Sequence, residues 1–249
     1  MLGVIIQARM GSSRLPGKVL LPIAGRPMFA YQLDRLKRCR HVDRIVVATT
    51  TEPADEAIVQ LCQAQGVQVT RGSEQDVLRR YAEAARAIGA DTVVRVTSDC
   101  PLLDPQLVDE AIEAYGGSDS PDYVSNMIQP TWPYGMAVEV MSRAALDAAD
   151  SEAKEPAERE HVTPFIYWRP QRFRLKSMTL PNDLSAHRWT VDTGEDFDLV
   201  SRILTTLLPV KPQFQMHDVL ELLDKNPDWV EINRAIRQKS IAKLPQKNL

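Results

Sequence analysis

Short unbroken apolar runs alternate with longer amphipathic segments through the N-terminal part of the chain. Runs at residues 3–8, 44–49, 68–71 and 92–96 read as strands buried on both faces, which leaves no polar alternation. Between them, residues 28–38, 54–65 and 76–88 repeat apolar positions at helical spacing, which predicts crossover helices with Asp55, Glu56, Arg79, Arg80 and Glu83 on their outer faces. Strands alternating with helices build a parallel βαβ sheet, so the fold class is a three-layer α/β/α domain with a mostly parallel sheet. After Gly116 and Gly117 the regular pattern breaks. The remaining pattern predicts a strand at 136–141, a helix at 156–167, a strand at 188–191 and a helix at 195–207, with a polar, frayed tail at 239–249. One domain spanning 1–249 is expected, with 121–180 as an inserted region for acceptor and dimer contacts.

Open sheets of this kind bind ligands beyond the carboxyl ends of their strands. Three loops follow strands there: Arg9 to Lys18, Arg71 to Glu74, and Ser98 to Leu103. The first lies within QARMGSSRLPGK, which holds Gly11, Ser12, Arg14 and Gly17 ahead of Lys18. It is not a Walker A loop, because Val19 follows the lysine where a hydroxyl is needed and the glycine spacing is wrong. Small residues at a strand end still expose backbone N–H groups to an anion, and Arg9, Arg14 and Lys18 add charge that suits phosphate oxygens. The physical reading is a polyphosphate cradle, with a solvated basic loop as the plain alternative.

Composition narrows the partners. The net charge of −3 argues against a general nucleic-acid coat, which needs many phosphate-neutralising cations. Three cysteines, Cys39, Cys62 and Cys100, form no metal or disulfide pattern, so a reducing, cytoplasmic setting is expected. The N-terminal apolar run is too short for a signal segment or membrane span, so no membrane partner is expected.

Two aspartates stand where strands are predicted to end. Asp99 follows 92–96 and Asp192 follows 188–191, and either carboxylate there could reach a magnesium-bound phosphate or cap a helix. Glu195 and Asp196 read as first-turn helix charges. His41, His187 and His217 read as packed or solvated, and Cys100 as a small packed residue.

Five stretches in order carry a resemblance: IIQARMGSSRLPGKVLLPIAGRPM, RGSEQDVLRRY, VVRVTSDCPLLDP, EREHVTPFIY and RWTVDTGEDFDLV. Together they resemble cytidylyltransferases of the spore-coat polysaccharide biosynthesis protein F type, which are related to the synthetases of CMP-3-deoxy-manno-octulosonate and CMP-acylneuraminate. That resemblance implies a nucleotide-diphospho-sugar transferase-like, Rossmann-like fold. It also implies transfer of CMP from CTP to an acidic sugar, with Mg2+ as cofactor, in a homodimer. Arg9, Arg14 and Lys18 take the positions that hold the triphosphate; Ala8 and Arg9 approach the base, with Arg71 opening the nearby loop. Gly11, Ser12 and Ser98 complete the implied nucleotide site, and both Asp99 and Asp192 become metal ligands. Tyr134, Glu139, Glu160 and His161 fall in the implied sugar region. The sequence departs from the family at Ala137, where an acidic residue is usual, at Tyr134, where a basic one is frequent, and at Gly194, where proline is favoured. A nucleotide-sugar-dependent glycosyltransferase and a non-catalytic nucleotide-binding protein stay open as alternatives.

Overall fold

A computed structural model of the chain describes residues 1–238; the tail at 239–249 lies outside the described residues. The chain runs β1 (Leu2–Gln7), β2 (Pro22–Ile23), β3 (Arg26–Pro27), α1 (Met28–Leu36), β4 (Arg44–Thr50), α2 (Glu56–Ala64), β5 (Gln68–Gly72), α3 (Val77–Ile88), β6 (Thr92–Thr97) and α4 (Pro105–Tyr115). It continues with β7 (Tyr123–Ser125), β8 (Glu139–Ser142), α5 (Arg143–Glu152), α6 (Pro156–His161), α7 (Pro164–Tyr167), β9 (Leu175–Ser177), α8 (Gly194–Leu207), α9 (Met216–Lys225) and α10 (Pro227–Val230). Seven strands form one sheet in the order β5-β4-β1-β6-β8-β7-β9. The four at the β5 end are mutually parallel, and β8 runs antiparallel to both β6 and β7.

The unbroken apolar strands follow from burial on both faces. In β1, Val4 and Ile6 point into a core shared with α1, α2, α4 and α8, while Ile5 points into a second core with α3, α5 and α7. All three residues are fully buried. Each face therefore needs its own apolar side chain, and a polar position in mid-strand would be stranded in one core or the other. Helix ends are fixed locally: Asp76 caps α3 by accepting from Arg79 N at 2.9 Å, and Gly89, at φ 67°, ends it in the left-handed conformation.

The structure differs from the sequence reading in three elements. Residues 188–191 form no strand: Arg188 makes an isolated parallel bridge to Tyr134, and Val191 N donates to Asp99 O at 2.8 Å. The strand expected at 136–141 shortens to β8, because the buried Asn126 side chain takes over the ladder, donating to Met136 O at 2.7 Å and accepting from Val138 N at 2.9 Å. The helix expected at 156–167 is two helices, α6 and α7. Val162 sits between them at φ 74°, a conformation that ends α6 ahead of Pro164. Helices α4, α5, α9 and α10 were not expected; α4 begins at Asp104-Pro105 and α5 at Ser142, each with a side-chain cap. The outer-face expectation also fails at Asp55 and Arg80, each only 2% exposed.

Gly135 brings the 188–192 segment against the sheet. It has φ 102°, and a Cβ there would lie 2.5 Å from Thr190 N and 2.6 Å from the Trp189 carbonyl carbon, so no other residue lets the two backbones pass this closely.

Gly194, the departure from proline, is the first residue of α8, where the N–H has no intrahelical partner; Thr193 before it is extended at ψ 174°, as proline requires, and the Cβ position is open. Gly194→Pro is therefore expected to raise stability by about 0.4–1 kcal/mol, or roughly 1–4 °C in Tm, by restricting the unfolded chain. Thermal melting of the two proteins checks this, and a lower Tm in the variant would contradict it.

Candidate active site

The loop from Arg9 to Lys18 is tied down at both ends. Met10 O accepts from Ser12 N at 2.9 Å and Gly17 N at 3.1 Å, which folds the loop onto itself. Met10 N donates to Asp55 Oδ1 at 2.7 Å, while the second oxygen of Asp55 accepts from the backbone and hydroxyl of Thr50. The buried Asp55 thus fastens the loop to the end of β4. Gly17, left-handed at φ 68°, starts a single 3-10 turn over Lys18–Leu20 that turns Lys18 inward.

Lys18 Nζ donates to Asp99 Oδ2 at 3.2 Å, Asp192 Oδ1 at 2.8 Å and Val191 O at 2.7 Å. An ammonium has three donors, and all of them are used. Neither aspartate is spent as a helix cap: Asp104 caps α4, and Thr193 caps α8 in a reciprocal pair with Asp196. Asp192 Oδ2 is further held by Arg14 Nη2 and Arg188 Nη2, each at 2.9 Å. Arg188 in turn pairs with the fully buried Asp196, which also accepts from Asn233 Nδ2 at 2.8 Å. Burial works against the charged forms here, but Asp99 and Asp192 override it and hold Lys18 above its ordinary pKa. Likewise burial would raise the Asp192 carboxyl, and Lys18, Arg14 and Arg188 together keep it below the usual value.

These groups line a cleft of about 300 Å³ at the carboxyl ends of β1 and β6. The structure brings Ala8, Arg9, Gly11, Ser12, Arg14, Lys18, Ser98, Asp99, Glu160, His161 and Asp192 to it. Burial lowers the His161 pKa, which favours the neutral ring. Arg71, Tyr134 and Glu139 are not among the lining residues. Arg71 spends its guanidinium on Thr50 O, Glu52 O and Glu56, bracing the β4–α2 connection. Glu139 is buried, with its two oxygens taken by Tyr123, Thr163 and Arg95. Tyr134 engages the 187–189 segment through its backbone. Gln7, Ser13, Arg80 and Thr97 line the cleft without having been singled out. Gln7 had a readable signal, as a polar residue closing an apolar strand, and Arg95 Nη2 fixes its side-chain oxygen at 3.2 Å. Cys100 is buried, and burial pushes its thiol far above its ordinary value, with Asp99 adding to the effect, as suits a packed residue.

Among the described residues no group of three or more His, Cys, Asp or Glu side chains could enclose a metal. Two carboxylates converging on one ammonium are nevertheless a donor set that suits Mg2+, which takes one or two carboxylates and completes its shell with water and phosphate oxygens.

Residues 3–241 match the family model described as Cytidylyltransferase. The chain belongs to the cytidylyltransferase family. It is 34% identical over 233 residues to the spore coat polysaccharide biosynthesis protein SpsF of Bacillus subtilis, covering 90% of this chain and 94% of that one. Over 110 residues, 43% of this chain and 42% of the other, it is 42% identical to the 3-deoxy-manno-octulosonate cytidylyltransferase of Geobacter sulfurreducens. A solved cytidylyltransferase from Leptospira borgpetersenii superposes with a TM-score of 0.89 at 33% identity, covering 95% of this chain and 99% of that one. Membership decides between the alternatives raised by the sequence: this cytidylyltransferase is a CTP-dependent nucleotidyltransferase.

The charge arrangement has a consequence for stability. A carboxyl held below its unfolded value stabilises the fold above that value, about pH 3.9 for aspartate, and the contribution is lost as pH falls through the folded pKa. Asp192→Asn in the cytidylyltransferase should therefore melt below the wild type at neutral pH, with the gap closing under pH 4. A gap that stays constant down to pH 3 in thermal melts would contradict the assignment.

Proposed function

We propose that this cytidylyltransferase transfers CMP from CTP to an acidic sugar of the nonulosonate or octulosonate type, releasing pyrophosphate, for surface polysaccharide biosynthesis. The observation that carries the reading is the Lys18 ammonium bound to both Asp99 and Asp192 in a cleft shared with Arg14. An acidic sugar is favoured by the names of the relatives, one acting on 3-deoxy-manno-octulosonate and one serving spore coat polysaccharide biosynthesis.

In this reading a sugar hydroxyl attacks the α-phosphorus of CTP, its proton passes to water, and the bond from that phosphorus to the bridging oxygen of the pyrophosphate breaks. Little covalent work falls to the protein, so positioning and charge neutralisation carry the rate. Asp99 and Asp192 would hold Mg2+, whose charge stabilises the reacting phosphates and lowers the pKa of the attacking hydroxyl. Lys18 and Arg14 neutralise the charge that builds on the leaving pyrophosphate. Because all three donors of Lys18 are occupied, it reaches a phosphate only by giving up at least one present acceptor. Nucleotide binding and release of one of these acceptors are then one exchange, and where that acceptor is Asp99 or Asp192 a carboxylate oxygen is left free for the cation. Glu160 and His161, at the edge of the same cleft, contact the acceptor. The loop N–H groups around Gly11 and Ser12 cradle the phosphates.

The reading is tested by measuring pyrophosphate release with CTP, UTP, ATP and GTP against a panel of acidic sugars in the presence of Mg2+. Release with CTP and at least one such sugar is expected, and no release with any of them sinks the proposal. Lys18→Ala should lower kcat/KM on the order of 10²-fold, in line with removal of one charge-stabilising donor, and should weaken CTP binding more than CMP binding. Equal weakening of the two nucleotides would remove Lys18 from the leaving-group site.

A further inference from the structure

A second cavity, of about 240 Å³, lies between α1 and the α8–α9 connection, and none of the residues lining it lines the cleft around Lys18. Leu204, Leu208, Pro212 and Phe214 give it an apolar wall. Two of its charged groups cancel, since Arg26 Nη2 donates to Asp34 Oδ2 at 2.6 Å. The other two, Arg35 and Arg38, have no carboxylate within ion-pair distance among the described residues. The cavity therefore carries an excess of positive charge.

Arg35 is 5% exposed. Its Nε donates to Leu103 O at 2.8 Å, and its Cζ lies 4.3 Å from the centroid of the Phe214 ring, which offsets part of the cost of burial. Nη2 is sealed from solvent without a partner. Nη1 makes no hydrogen bond among the described residues either, but it is not sealed, and it is the part of the group left to face the cavity. Asp104, the carboxylate that acts on this guanidinium, is already engaged by Gln106 N and Met216 N. Burial, with Arg38 adding to it, pulls Arg35 down to about 10. A cation at the last turn of α1 suits the helix dipole, but the dipole gives no reason to bury it beside a second cation. An anion between the two would relieve both the burial and the repulsion.

The wall decides which anion. A free phosphate would turn several of its oxygens toward Leu204, Leu208 and Pro212, which have no side-chain donor to offer. A carboxylate has only two oxygens to satisfy, one for Arg35 Nη1 and one for Arg38, and a hydrocarbon body attached to it fits the apolar wall.

We propose that this cavity is a second ligand site, which takes a small monocarboxylate with an apolar body held by Arg35 and Arg38. Nothing in it depends on the reading of the cleft.

The probe is 3-phenylpropionate, titrated calorimetrically into the full chain. Saturable binding is expected, with 3-phenylpropionamide, of the same shape and without the charge, binding about 10–100-fold more weakly. Arg35→Met also removes the bond to Leu103 O, so Arg38→Gln is the cleaner variant, because the Arg38 side chain has no partner among the described residues. It should weaken binding of the carboxylate at least about tenfold and leave binding of the amide within threefold of the wild type. Lys18→Ala should leave binding of the carboxylate within threefold. Failure of the wild type to bind the carboxylate overturns the proposal, as does equal binding of carboxylate and amide. Tighter binding of inorganic phosphate than of 3-phenylpropionate overturns the choice of ligand class. Binding that survives Arg38→Gln but is lost in Lys18→Ala puts the probe in the cleft and overturns the second site.

Discussion

One ammonium group holds the site together. Lys18 Nζ lies within hydrogen-bonding reach of carboxylates carried on segments that are almost a hundred residues apart, Asp99 after β6 and Asp192 before α8. Burial works against the charged form of Asp192, and the cation beside it, with Arg14 and Arg188, keeps that carboxylate below its usual pKa. Everything around it serves that placement. Gly17 turns Lys18 inward, Asp55 pins the loop before it, and Val191 N bonded to Asp99 O sets the second carboxylate beside the first. Arg188, Asp196 and Asn233 then fix Asp192 from behind.

The central sheet was readable because a strand buried on both faces leaves an unmistakable run. Strands β1, β4, β5 and β6 were expected within a residue or two of where they lie, and α3 and α8 equally so, since the caps Asp76 and Thr193 and the apolar spacing agree. The segment at 188–191 was not readable as it stands. It is apolar enough for a strand, but its hydrogen bonds go to Tyr134 and Asp99, partners that no local pattern reveals. The break between α6 and α7 had a visible cause in Pro164, whereas the left-handed Val162 did not. Asn126 shortens β8 from ten residues away, again a contact without a local signature.

Site residues divide along the same line. Arg14, Lys18 and Asp99 were accessible because their loops follow strand ends, and Asp192 because a strand was expected before it; the structure gathers all four in one cleft. Asp55 and Arg80 were placed on outer faces by helical periodicity. That periodicity knows only the sheet as an inside; it cannot register the loop from Arg9 to Lys18 fastening onto Asp55, or the Ser73 carbonyl that takes the Arg80 guanidinium. Glu139 erred the other way. It looked available for a sugar, yet its oxygens are taken by Arg95, Tyr123 and Thr163, and Arg95 in turn holds Gln7 at the cleft.

The anchoring of Asp196 by Asn233 Nδ2 bears on biogenesis. The basic loop is made within the first twenty residues, but Asp192, which faces it, is held through Arg188 and Asp196 by a side chain more than two hundred positions later. A chain still being synthesised therefore carries a basic, anion-attracting loop long before it owns the partner that neutralises it. The finished charge arrangement therefore waits for residue 233, more than two hundred positions after the loop.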